Sequence, residues 1–242
     1  MKKEEGEIVN SRRKFLQRSL AILPVTALSG TVIAKSVSAA EKNKEDEFVY
    51  QYVPIFFNHE EWRFIISATD RLIPQDDNGP GAVSEGVPVY IDKQMELPYG
   101  HGALWYMQPP FEQTIPELGY QTNLVPRDIY RRGIKATDQY CQQKYQKKFA
   151  DLENAEREGV LHALEAGHIQ LADISSKLFF GQLLENTKEG YLADPIHGGN
   201  RTQASWKMIG FPGARADFVQ VMDNPNTHYP LGPVSISGKN GA

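Results

Sequence analysis

The stretch NHEEWRFIISATDRLIP, residues 58–74, decides the fold class. Asn58 followed three residues later by Glu61 is a capping-box pattern: the amide oxygen takes up a free N–H of the first helical turn, and the carboxylate reaches back for another. Trp62, Ile65, Ile66, Thr69, Leu72 and Ile73 then recur at helical spacing until Pro74 stops the run. The segment predicts a helix with one face laid on a core.

The same kind of signal continues downstream. After the loop QDDNGPGA, Pro88 opens an expected second helix that runs to about Glu96 and carries Tyr90, Ile91 and Met95. Residues 98–126 hold five prolines and no clean period, which predicts a long ordered surface loop with a job or a partner. Pro126 begins a third helix with the stripe Ile134, Thr137, Cys141, Tyr145 and Phe149. A fourth spans Asn154–Ala166, with Gly167 placed to cap it. Asp173 is set to cap a fifth, through Leu178, Phe179, Leu183 and Leu184 to Gly190. Alternating strand patterns are nearly absent. The expectation is a mainly α chain: a single helical domain, residues 48–242, with long ordered loops.

Upstream of that domain, EKNKEDE (residues 41–47) has the composition of a solvated linker. Before it, residues 19–34 read SLAILPVTALSGTVIA, apolar but diluted by Pro24 and Gly30 and short of the roughly 20 apolar residues that a bilayer span needs. Ahead of this run stands SRRKFLQ, in which Ser11, Arg12, Arg13, Phe15 and Leu16 match the twin-arginine pattern S-R-R-x-F-L. After it, SVSAA offers a cut behind Ala39 or Ala40. Basic segment, weak apolar segment and small-residue exit are the order of a cleavable export signal, residues 1–40, read by the twin-arginine translocase. The plainer alternative is a basic amphipathic N-terminal helix. That translocase carries proteins already folded, commonly because a cofactor or a partner is acquired in the cytoplasm.

The charge changes with the signal. Residues 1–40 hold seven Lys/Arg and three Glu, a net of +4, so the whole-chain value of −4 leaves −8 for the remainder. A domain of that sign carries no electrostatic footprint for nucleic acid or anionic lipid.

Motifs for resident chemistry are missing. No C-x-x-C-H, cysteine set, phosphate-binding loop or G-x-S-x-G occurs, and Gly79, Gly81 and Gly86 lack dinucleotide-loop spacing. Six histidines, at 59, 101, 162, 168, 197 and 228, nominate no base. Glu158, His162 and Glu165 share a face of the fourth helix, and His168 completes an E-x-x-H. A helical di-metal site needs that motif twice, so the cluster reads as a solvated face; the rival reading is an independent periplasmic metal-binding protein. Cys141, the only cysteine, is either a buried apolar thiol or a partner for a disulfide to another chain.

The most distinctive stretch is DPIHGGNRTQASWKMIGFPGA, residues 194–214. Asp194-Pro195 favours a turn, Gly198 and Gly199 permit unusual backbone angles, and Asn200 can cap the next turn. Trp206 and Phe211 are available to pin the loop. With His197 this makes a structural or interface loop; the alternative is anion binding by the Gly-Gly amides, with no basic cluster in support.

The twin-arginine leader, ATDRLIPQDDNGPGAVSEGVPVYID (68–92), DPIHGGN, WKMIGFPG (206–213) and GPVSISG (232–238) together resemble the gluconate 2-dehydrogenase subunit 3 family. His197 departs from it, tyrosine being the more usual residue there. The resemblance implies the non-catalytic small, or gamma, subunit of a membrane-associated FAD-dependent sugar or polyol dehydrogenase, with no cofactor of its own. FAD would sit in a large flavoprotein subunit and haem c in a multihaem cytochrome c subunit. The complex would lie in the periplasm, held to the inner membrane, with the arginines of this chain exporting the folded flavoprotein. Gluconate, 2-ketogluconate, glucose, fructose and sorbitol are all compatible substrates of such a complex, and residues 98–126 could contact one of them.

Overall fold

The structure is a computed structural model that describes residues 44–111, 121–216 and 230–238. Seven α-helices lie among the described residues: α1 Lys44–Gln51, α2 His59–Leu72, α3 Val87–Glu96, α4 Pro126–Tyr145, α5 Asn154–Ala166, α6 Ser176–Leu192 and α7 Ala204–Ile209. Two short 3-10 turns, Phe149–Asp151 and Pro195–His197, join them. The described residues form no strand, only the isolated bridges Asp76 to Gly79 and Gly213 to Val234. The expectation of a mainly α chain holds; the leader lies outside the described residues.

Local chemistry set most of the helix starts as expected. Asn58 Oδ1 accepts from the Glu60 and Glu61 amides, and Glu61 returns the bond to Asn58 N at 3.0 Å. Pro88 sits in the first turn of α3 and Pro126 in that of α4. Gly167, left-handed at φ 77°, ends α5. Four boundaries differ. α6 is capped by Ser175, whose hydroxyl accepts from Leu178 N, rather than by Asp173, and it continues past Gly190 to Leu192. Phe149 belongs to its own 3-10 turn, because α4 stops at Tyr145 and Gln146 turns left-handed. The charged segment is helical from Lys44, the start of α1.

α6 is the axis of the domain, touching α2, α3, α4, α5 and α7. A helix packed on several sides cannot keep a wide polar face. Its buried residues accordingly include Phe179, Phe180, Leu183 and Tyr191 together with Asn186 and Thr187. Asn186 is fully buried, which is tolerable only with its polar atoms paired. Its Oδ1 accepts from Tyr130 Oη at 3.0 Å and Gln182 Nε2 at 2.9 Å, and its Nδ2 donates to Tyr99 Oη at 2.7 Å. Around this helix Phe64, Phe149 and Phe179 stack at 4.5 and 6.0 Å between centroids.

The second buried polar hub is Asp92, completely shielded on α3. Its Oδ1 accepts from Phe56 N and Phe57 N, both at 3.0 Å, and its Oδ2 from Ile55 N at 2.8 Å and Tyr52 Oη at 2.9 Å. One carboxylate thus fixes the whole turn between α1 and α2. Burial, then the hydrogen bond to Asp92 and its charge, push the Tyr52 phenol up, so it remains a donor.

Candidate functional site

Four sequence stretches meet at the C-terminal end of α6. The first is the turn before α3. Glu85, 1% exposed, extends its carboxylate to Thr202, accepting from the amide at 3.0 Å and the hydroxyl at 2.6 Å. The Arg201 amide adds a bond to Glu85 O at 3.3 Å, and the Arg201 guanidinium lies 3.8 Å from the centre of the Phe48 ring. Gly86, at φ 78°, lets the backbones close: a Cβ there would stand 2.5 Å from Gly198 O.

The second stretch is the loop after α6. Asp194 Oδ1 accepts from Ile196 N at 3.0 Å and so caps the turn Pro195–His197. Gly199 crosses the end of α6 so closely that a Cβ would lie 2.0 Å from Gly190 O. Asn200 does not cap the following turn through its side chain. It is buried, donates to Ala193 O at 2.9 Å and accepts from Ser205 Oγ at 2.8 Å, and so ties the loop back to α6. The Gly-Gly pair therefore serves close approach of backbones, and Gly198 N already donates to Pro195 O.

The third stretch is α7 and its exit, the fourth the tail. Trp206, 5% exposed, donates from Nε1 to Leu192 O at 2.8 Å and meets Phe211 edge-on at 5.1 Å; Phe211 itself is 46% exposed. Ala214 N donates to Val234 O at 2.7 Å, and Val234 N to Pro212 O at 3.3 Å. Asp194 closes the circle, accepting also from Ser235 Oγ at 2.7 Å and Ile236 N at 2.8 Å. Burial alone would raise the Asp194 carboxyl, but the bonds from Ile196, Ser235 and Ile236 and the charge of His197 hold it below the usual carboxylate range. A lowered carboxyl stabilises above its unfolded pKa, so the anchorage is complete near neutrality and is lost as pH falls through the folded value.

A family comparison takes in the first three of these stretches and stops short of the tail. The family model for gluconate 2-dehydrogenase subunit 3 matches residues 59–213, more than half of the chain, from the first residue of α2 to the glycine that bridges to the tail. The chain belongs to the gluconate 2-dehydrogenase subunit 3 family. A search of curated proteins and a search of solved structures each find no match. Subunit 3 of a dehydrogenase is by description one member of a complex, so these joined loops, a platform at the end of α6, belong to a chain that works beside other subunits.

In this subunit 3 chain the other candidate residues lie away from the platform. Glu158, His162 and Glu165 are on α5, facing solvent. His162 pairs with Glu165 at 3.5 Å with side chains 78% and 56% exposed, and Glu158 reaches Arg71 at 3.5 Å. His168 falls past the helix end. Among the described residues no group of three or more His, Cys, Asp or Glu side chains is arranged to hold a metal ion, and the solvated-face reading fits this geometry. His197 is exposed on the platform's flank, in an open groove of ≈ 410 Å³ shared with Tyr90, Gln94 and Glu189. The twin-arginine residues Ser11, Arg12, Arg13, Phe15 and Leu16 lie outside the described residues. Among those described, no helix is long and apolar enough to cross a membrane.

Cys141 is fully buried in the core cluster, on the inner face of α4. Burial, and then the Asp138 carboxylate, push its thiol up to about 12, so almost no thiolate exists at neutral pH. Full burial among this chain's own core residues is the environment of a packed thiol. A thiol reagent at pH 7.5 is expected to leave the native chain unlabelled over the time in which the denatured chain reacts fully; stoichiometric labelling of the native chain would refute this.

Sequence reading alone missed Glu85 and Asp92 as structural hubs. Asp92 carried a signal: it stands in register with Pro88 and Met95 on the buried face of α3, where an apolar residue is expected. Glu85 carried none, since its partner Thr202 is 117 residues away.

Proposed function

We propose that this chain is the non-catalytic small subunit of a periplasmic, membrane-associated FAD-dependent dehydrogenase of the gluconate 2-dehydrogenase type, and that it supports folding and twin-arginine export of the flavoprotein subunit. The observation that carries the reading is how the polar residues of the meeting stretches are engaged. Glu85, Asp194, Asn200 and Ser205 are all held in internal hydrogen bonds that build a loop platform. A group that must bind substrate or move a proton needs reach to a reacting atom, and these are turned to partners within their own fold. What such residues make is a shaped surface. The hydride acceptor, FAD, and the electron relay, haem c in a cytochrome subunit, then belong to partners, and the attachment to the inner membrane is through the complex.

Export supplies the test. Receptor recognition of the leader depends on the planar fork of arginine, which an ammonium does not reproduce. Arg12→Lys with Arg13→Lys is expected to strand both this chain and the flavoprotein in the cytoplasm, measured by fractionation and dehydrogenase activity. Normal periplasmic activity in the double variant would overturn the escort reading.

A further inference from the structure

The platform is as apolar outside as it is hydrogen-bonded within. Ile196, Met208, Ile209, Leu231 and Ile236 are each more than half exposed, at 54, 54, 59, 51 and 67%. Leu192 and Phe211 add 46% each. These seven are more than half of the large hydrophobics exposed among the described residues. They come from the α6 terminus, the 3-10 turn, α7 and the tail, elements joined to one another by the Asp194, Trp206 and Val234 bonds. Single exposed apolar residues are ordinary, but this many on one linked scaffold reach several hundred Å², the scale of a functional contact surface.

Two further observations point to what covers it. The described parts of the scaffold are cross-linked by the Asp194, Trp206 and Val234 bonds, which reduces the ordering entropy lost when a partner seats on it. Its charge also departs from the rest of the chain. Residues 204–216 contain no acid and two cations, Lys207 and Arg215, in a chain of net charge −4. A partner surface that is apolar at its centre and acidic at its rim complements both features.

We propose that this platform is the surface on which the flavoprotein subunit docks, an inference that rests on the accessory-subunit reading above. A folded protein subunit, rather than a membrane or a second copy, is favoured because the family is defined as one subunit of a dehydrogenase. Ile196, Met208 and Ile236 become the buried anchors, and Lys207 meets the acidic rim.

The test uses the co-expressed complex with an affinity tag on this chain. Ile196→Asp with Met208→Asp places two carboxylates in a surface that loses water on docking, and the flavoprotein recovered on the tag is expected to fall about tenfold or more. Glu165→Arg, an equal disturbance of charge on the solvated face of α5, is expected to leave recovery unchanged. Both variants are melted beside the parent, and because the altered side chains are exposed their melting temperatures should agree with it. Should the double variant melt early, Ile236→Ser repeats the measurement with a milder change. Parental recovery with the platform altered, while the complex forms, overturns the docking face and leaves the accessory reading standing. Failure of the unaltered chain to hold any flavoprotein overturns both. Platform-dependent binding to anionic lipid vesicles, or platform-dependent dimers of this chain that persist in the complex, overturns the flavoprotein as occupant.

Discussion

Asp92→Ala is expected to lower the melting temperature by about 10 °C or more. Three backbone N–H groups, of Ile55, Phe56 and Phe57, and the Tyr52 hydroxyl converge on this carboxylate. Alanine leaves the Phe56 and Phe57 amides facing a buried site with no acceptor. At about 1–3 kcal/mol for each buried donor left without a partner, the two fully buried amides alone cost roughly 2–6 kcal/mol, a large share of the about 5–15 kcal/mol that holds a domain together. Asn keeps one acceptor oxygen and replaces the other with a donor, so Asp92→Asn should fall between the parent and alanine. Circular-dichroism melts of the three proteins decide it. An alanine variant within a degree or two of the parent would show that the turn between α1 and α2 is held by something else, such as the contact of Tyr52 with Trp62 at 5.5 Å.

That hub also marks where sequence reading succeeds and where it ends. The capping box at Asn58 and Glu61, the prolines at 88 and 126 and the glycine at 167 act within four residues of themselves, and each was legible because the physics is local. The cap of α6 was misplaced because Asp173 and Ser175 are equally good acceptors on paper, and only the path of the incoming chain chooses Ser175. The end of α6 was set too early because Gly190 reads as a helix stop. In the structure it stays helical, and its missing side chain makes room for Tyr90 and Val87. The loop at 194–214 was legible as an ordered, aromatic-anchored turn. Its joining to Glu85 and to the tail was not, since those bonds cross 117 and about 40 residues and leave no periodic trace.

Gly199→Ala is the second large effect, and it should be confined to the platform. The added methyl would stand 2.0 Å from Gly190 O and 2.8 Å from Gly190 C, both backbone atoms of α6 that no rotamer change can move aside. Overpacking of this kind costs about 1–3 kcal/mol where side chains can yield, and more is expected against backbone. The loop has an escape that the core lacks: it can lift from α6, giving up the Asn200 bond to Ala193 O and the Trp206 bond to Leu192 O. Hydrogen exchange should therefore show protection lost at residues 194–214 and 234–238, while amides of α2 and α4 keep theirs. Gly159→Ala serves as the opposite case, a mid-helix glycine on α5 whose Cβ would meet nothing within 4 Å. There alanine should stabilise by about 0.5–1 kcal/mol, because only the backbone entropy of glycine is removed. Unchanged exchange at 194–214 in Gly199→Ala would mean that the loop is not seated on α6 as described. Equal loss of protection in α2 and α4 would mean that platform and core unfold as one unit, so that flavoprotein docking could not be weakened through the loop alone.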